Sequence, residues 1–275
     1  MDYIGVKALS EKWGLSERRI RLMCSEGRIE GAIKLSWSWA VPSNVEKPTD
    51  GRVMKKQKEF IRLGSINIDE INKNKQKYPL DTIGDETFNK LINDIIIQAI
   101  NFDSNEIREK TILNILYDNL VPSVSLEKHL LIKNFQALLR NAKTDDSTFN
   151  ARKLRSLAKS LYQGFNNPLV EDSKLEIFFL SLEREYKKIH PIYKAMLTFV
   201  HLIKTKPYEK YNNELAFLTL VYIILQNGYI VPSFVDDIKP VLLTVMTKSN
   251  YLQIAAYLYN SMLTSYNTVA NVALD

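Results

Sequence analysis

From Asp85 onward, apolar residues recur at three- and four-residue intervals in one segment after another. ETFNKLINDIIIQAINF, SLEKHLLIKNFQALLRNA, TFNARKLRSLAKSLYQGF and SKLEIFFLSLEREYKKI each place an apolar stripe along one helical face. HPIYKAMLTFVHLI and NELAFLTLVYIILQNGY are the most apolar, which predicts central, enclosed helices. SFVDDIKPVLLTVM and SNYLQIAAYLYNSML complete the series. Ser125 and Thr148 stand where helix starts are expected. No useful internal repeat is present. Residues 85–275 therefore read as an all-α bundle.

The first sixty residues have a different texture. Ile4, Val6, Leu9 and Trp13 predict a short amphipathic helix that Gly14 ends. Ser16 is an N-cap for a second helix running to about Cys24 or Glu26, stopped by Gly27. After Gly31, AIKLSWSWAVP alternates and is rich in β-formers, with a turn near Ser36 and an end at Pro42. Two helices joined by a glycine-containing turn and followed by a hairpin form a winged helix-turn-helix. In the second helix Ile20 and Cys24 share the inner face, while Arg18, Arg21 and Ser25 lie on another. The expected domains are 1–60 and 85–275, with 61–84 as a linker. Within or beside that linker, MKKQKEFIRL has a short helical pattern and INKNKQKYPLD reads as exposed and mobile.

Composition adds several exclusions. At 275 residues, 45% hydrophobic and 25% charged, the chain has the material for one large or two unequal soluble domains. A single cysteine, Cys24, allows no disulfide within the chain and fits a reducing cytoplasm. With only three scattered histidines (His129, His190 and His201), no metal site is expected. The opening MDYIGVKALSEKWG shows no secretory leader pattern. The longest apolar run, Leu215 to Leu225, falls short of the roughly 20 residues a membrane span needs. Net charge is +6, and residues 1–62 hold 13 Lys plus Arg against 8 Asp plus Glu, so nearly all of the excess lies there. A polyanionic partner is expected for that piece alone.

The segment from about residue 3 to 52 resembles the MerR-like and excisionase-like winged helix family. GLSERRIR stands at the turn, cap and arginine-rich recognition helix, WAVP at the wing's end and KPTDGR at the strap that follows. Leu22 and Met23 replace two tyrosines common in the MerR family, so the excisionase-like branch fits better. The resemblance implies binding to double-stranded DNA, with Ser16, Glu17, Arg18, Arg19 and Arg21 turned toward bases and phosphates. Arg28, Lys34, Ser36 and Trp37 are the expected flanking contacts, while Trp39 is expected in the core. The alternative is a solvated charged helix face on a protein-binding module.

Residues from about 105 to 260 resemble the Fic family. LIKNFQALLRNA, with Asn134, stands at the start of the family's core, LRSLAKSLYQGFNNP follows, and the signature segment runs from His190 to Tyr229. In that family the loop HPFxDGNGR joins two helices. Its His is a base toward a target hydroxyl, its acid holds magnesium, its glycines wrap a diphosphate, and its Arg neutralises developing charge. Here the His position is Lys206, Pro207 remains, and Tyr208 replaces Phe. Lys210 replaces the acid, Tyr211 and Asn213 the glycines, and Glu214 the Arg, with Asn212 retained between them. The resemblance implies a pseudo-enzyme without catalytic residues or cofactor. Asp118, in NILYDN, stands where many members carry an inhibitory Glu.

The combined expectation is a cytoplasmic, homodimeric transcriptional regulator, its helical domain serving dimerisation, a protein partner or sensing. Two other readings stay open: an interaction component of a toxin–antitoxin or phage-defence system, and a divergent active nucleotide transferase.

Overall fold

The computed structural model describes residues 2–47, 67–103, 107–170, 172–185, 189–234, 237–248 and 251–272. Most of the strap KPTDGR and all of the MKKQKEFIRL segment lie outside these residues. The chain divides into two units, 1–60 and 61–275.

In the first unit, β1 (Tyr3–Gly5) leads into α1 (Val6–Trp13), then α2 (Glu17–Ser25), β2 (Ile33–Leu35) and β3 (Ser38–Pro42). The strands form one antiparallel sheet in the order β1-β3-β2, with Tyr3 opposite Pro42 and Leu35 opposite Ser38. Ile4, expected on the first helix, is instead a strand residue opposite Val41. Pairing with β3 satisfies backbone groups that the short helical pattern would leave at its N-terminus. Leu9, Ile20, Met23, Cys24, Ile29 and Val41 make the buried core, with Trp39 packed against it. Gly14 closes α1 in the left-handed region at φ 62, a conformation open to glycine without a Cβ penalty.

The second unit is helical: α3 (Ile68–Lys77), α4 (Asp85–Ile100), α5 (Glu109–Leu116), α6 (Leu126–Asn141) and α7 (Ala151–Leu161). Then come α8 (Asp172–Glu185), α9 (Pro191–Thr205), α10 (Asn212–Gln226), α11 (Lys239–Lys248) and α12 (Tyr251–Val272). The pair α9–α10 is the centre. Every residue from Leu215 to Leu225 is buried, with α9, α4, α6 and α7 packed around α10. Ser125 caps α6 as expected, accepting from the Lys128 N–H. The cap of α7 is Asn150 rather than Thr148, and its side chain accepts from the Lys153 N–H at 3.0 Å. A carboxamide oxygen serves this role as well as a hydroxyl.

The expected linker is corrected in one part. INKNKQK is not a mobile connector; it lies within α3, whose Ile71 is fully buried. Lys75 donates to the Asn227 carbonyl at 2.6 Å, and Asn72 accepts from the Tyr229 hydroxyl at 2.7 Å. Few apolar residues are needed because polar side chains make much of the contact, so periodicity could not reveal the helix. Among the described residues, no helix is long and apolar enough to cross a membrane.

Candidate functional site

The loop from Lys206 to Tyr211 joins α9 to α10. Lys206 ends α9 in the left-handed region at φ 43, its N–H donating to Leu202. Pro207 cannot extend the helix. Tyr211, at φ 55, turns the chain into α10. Two non-glycine residues held at positive φ cost energy, and surrounding contacts must hold them there.

Those contacts are numerous. The Tyr208 N–H donates to Asn212 Oδ1 at 2.9 Å, and Asn212 Nδ2 donates to the Tyr208 carbonyl at 2.7 Å. Asn167 does the same from outside, accepting from the Lys210 N–H at 2.9 Å and donating to its carbonyl at 2.8 Å. Residues 167–170 run antiparallel to the loop: Val170 N–H donates to the Pro207 carbonyl and Glu209 N–H to the Pro168 carbonyl. The Tyr162 hydroxyl donates to the Tyr211 carbonyl, and the Tyr162 ring packs edge-on against Tyr208 at 5.2 Å. Pro207, Tyr208 and Asn212 are buried, while Lys206, Glu209 and Lys210 are exposed. Burial pushes the Tyr208 phenol up to about 12.

A cavity of about 320 Å³ opens over the N-terminus of α10. Lys206, Lys210 and Glu214 line it, together with Asp103 and Lys128 from elsewhere in the unit. Glu214 occupies the third position of α10. Burial raises its pKa to about 7; its own N–H opposes the shift, Asp103 adds to it and Lys128 opposes it. Asn213 donates to Asp103, and Lys210 lies 4.0 Å from Glu127. The cavity thus brings cations and carboxylates together, with a carboxyl group where helix N–H groups attract negative charge.

His201 is not part of this cavity. Its ring stacks on Phe178 at 3.9 Å, and burial lowers its pKa to about 4. Asp118 lies beyond the end of α5, pairs with Lys133, and does not line the cavity holding Glu214. Asn134 donates to the carbonyls of Leu161 and Gln163 at 3.0 Å each, securing the end of α7. Asn167, Asp103 and Lys128 were missed in the sequence. Asn167 carries a weak signal, because NNP after an apolar segment marks a turn.

In the first unit, Ser16 caps α2 and accepts from the Arg19 N–H at 3.3 Å. Arg18 and Arg21 are exposed, Arg19 and Glu17 partly so. Glu17 is engaged by Arg21 one turn on, and Arg28 lies 3.6 Å from Glu26. Lys34, Ser36 and Trp37 are exposed on the β2–β3 hairpin, with Ser36 at φ 51 and Trp37 94% exposed at its tip.

No family model matches the chain, and no curated protein matches it. Solved structures of Fic-domain proteins are similar in fold. Fic-1 (residues 134–508) from C. elegans superposes with a TM-score of 0.57 at 14% identity, over 80% of this chain and 74% of that one. A Fic domain containing signaling protein from Bacteroides thetaiotaomicron gives 0.56 at 14% identity, over 74% and 96%. The chain therefore has a mainly helical, Fic-like fold with a small three-stranded sheet near its N-terminus.

Proposed function

We propose that the chain is a sequence-specific DNA-binding protein, a transcriptional regulator, whose Fic-like domain performs no nucleotide transfer. The observation that carries the DNA reading is the exposed face of α2, where Arg18 and Arg21 stand one turn apart on a capped helix beside a hairpin bearing Lys34 and Trp37. Such a helix suits the major groove, with arginines available to guanine edges or phosphates. A homodimer doubles the weak contact of one unit, and the helical domain is the natural seat for that dimer. In mobility shifts at two salt concentrations, binding falls steeply with salt and is lost in Arg18→Ala/Arg21→Ala. Salt-independent retention, or full binding by the double variant, rejects this reading.

The reading of the loop rests on Glu214. Transfer to or from a phosphate needs positive charge at the helix N-terminus, and this chain supplies a carboxyl group there. Lys206 and Lys210 stand where the resemblance calls for a base and a magnesium ligand, roles an ammonium group fills poorly. The clamped loop is suited instead to partner contact through Lys206, Glu209 and Lys210. Incubation with labelled ATP and magnesium yields no modified protein. Transfer abolished by Lys206→Ala overturns this part.

A further inference from the structure

We propose that the helical unit holds a second cavity, separate from the 206–214 loop, that binds a small amphipathic monocarboxylate. Its volume is about 730 Å³, within the roughly 300–1,000 Å³ range of small-molecule sites. Phe149, Phe179, Leu182 and Ile223 supply apolar walls from the segment before α7, from α8 and from α10. The two phenyl rings lie 6.0 Å apart. This proposal is independent of whether the first unit binds DNA.

Lys194 of α9 selects the ligand's charge. It lines the cavity and is half-buried, and its ammonium group donates to the Phe149 carbonyl at 2.8 Å. Among the described residues it makes no ion pair. An ammonium group has three N–H donors, so one such bond leaves it short of acceptors. Burial lowers its pKa, with Glu183 opposing that shift from a distance. A half-buried cation held only by one carbonyl, the face of the Phe149 ring at 5.9 Å and a carboxylate beyond ion-pair distance is costly, and a ligand carboxylate in direct contact offsets that cost.

Two carboxylates set the limit on charge. Glu183 and Asp146 line the cavity and are exposed. They repel polyanions such as nucleotides, and a single carboxylate is admitted by direct contact with the Lys194 ammonium group rather than by the net charge of the lining. Gln226 is engaged with the Ser147 carbonyl and stabilises the wall. The fitting ligand has an aliphatic or aromatic body of modest size and a single carboxylate.

The test uses the full chain, with decanoate as the probe and decanol and decylammonium as comparisons. Calorimetry gives affinities, and methyl NMR reports on Leu182 and Ile223. The expected order is decanoate tightest, with shifts at both methyl-bearing residues. Lys194→Met weakens decanoate at least tenfold and leaves decanol within about threefold. Lys194→Gln gives the same split if the Met variant folds poorly. The proposal is overturned if millimolar decanoate leaves those methyls unmoved, if decanol binds wild type as tightly as decanoate does, or if the charge-removing variant binds decanoate equally well.

Discussion

The Tyr229 hydroxyl lies 3.0 Å from His190 Nε2, joining the two ends of the α9–α10 segment over Asn72 of α3. His190 also caps α9, accepting from the Ile192 N–H through Nδ1. One cluster therefore fixes the start of α9, the turn after α10 and a helix more than a hundred residues earlier in sequence.

Removing that hydroxyl loosens all three. Tyr229→Phe keeps the ring beneath Lys75 and the His190–Asn72 contact at 3.2 Å, but removes the hydroxyl that bonds to both. Because His190 and Asn72 still meet each other, the loss is that of an ordinary hydrogen bond, about 0.5–1.5 kcal/mol. Chemical denaturation gives the total, and hydrogen exchange shows the greatest gain in exchange over residues 68–77. Unchanged protection there refutes the coupling.

His190 also gives this cluster a pH dependence. Burial lowers its pKa below the ordinary 6.5; Lys75 lowers it further and Asp69 opposes the shift. The folded protein binds its proton less readily than the unfolded chain. The stabilisation is complete above about pH 6.5 and is lost as pH falls through the folded-state value. His201, lowered to about 4 by burial, adds a loss as pH falls from about 6.5 to about 4. A His190→Gln variant shows a flatter stability profile between pH 7 and 5 than wild type, by thermal denaturation.

Glu214 acts with the opposite sign. Its pKa rises from 4.5 to about 7, chiefly through burial, so the folded state holds a proton that the unfolded chain has released. This contribution is complete below pH 4.5 and lost as pH rises through about 7. At pH 8 the ionised carboxyl penalises folding, and Glu214→Gln removes the penalty. Each pKa unit is worth about 1.4 kcal/mol, and screening through the open cavity reduces the gain to about 1–2 kcal/mol. The melting temperature at pH 8 rises by several degrees, while at pH 5 the two proteins differ little. Equal differences at both pH values contradict a buried, proton-holding Glu214.

The helices of the bundle were legible because each buries a stripe at helical spacing, and α10 was legible as central because it is apolar nearly all round. The loop's framework was partly legible. Pro207, Tyr208 and Asn212 stood out through the resemblance, and all three are buried. Their partners were not legible. Asn167 lies forty-three residues from Lys210, and a pairwise backbone clamp leaves no periodic trace. Helix α3 was missed for a related reason: its contacts are made largely by Glu70, Asn72, Lys75 and one buried isoleucine, and a sparse polar pattern resembles a linker.

The Asn212 clamp predicts a measurable rigidity. Asn212→Ala leaves the buried N–H and carbonyl of Tyr208 without their partner, at about 2–4 kcal/mol for the pair. Asn212→Asp keeps the acceptor toward the N–H but loses the donor toward the carbonyl, so it is intermediate near neutral pH. Proteolysis of the folded protein finds a new cleavage site within 206–211 in the Ala variant. Wild-type resistance in that variant shows that residues 167–170 hold the loop alone.

The last prediction separates two roles for Glu17. It was read from the sequence as a DNA contact, and it pairs with Arg21 across one turn of α2. If the pair serves to restrain and partly neutralise Arg21, Glu17→Ala frees one cation and removes one repulsive carboxylate from the face of α2. Affinity for double-stranded DNA then rises, severalfold at low salt, for specific and unrelated sequences alike. The salt dependence steepens by about one phosphate contact. If Glu17 instead accepts a hydrogen bond from a cytosine amino group, Glu17→Ala weakens the specific site by about 1–3 kcal/mol and leaves unrelated sequences unchanged. Mobility shifts on matched and scrambled duplexes at two salt concentrations distinguish these outcomes. The Glu17–Arg21 pair favours the first, because a carboxylate engaged by its own helix is not free to read a base.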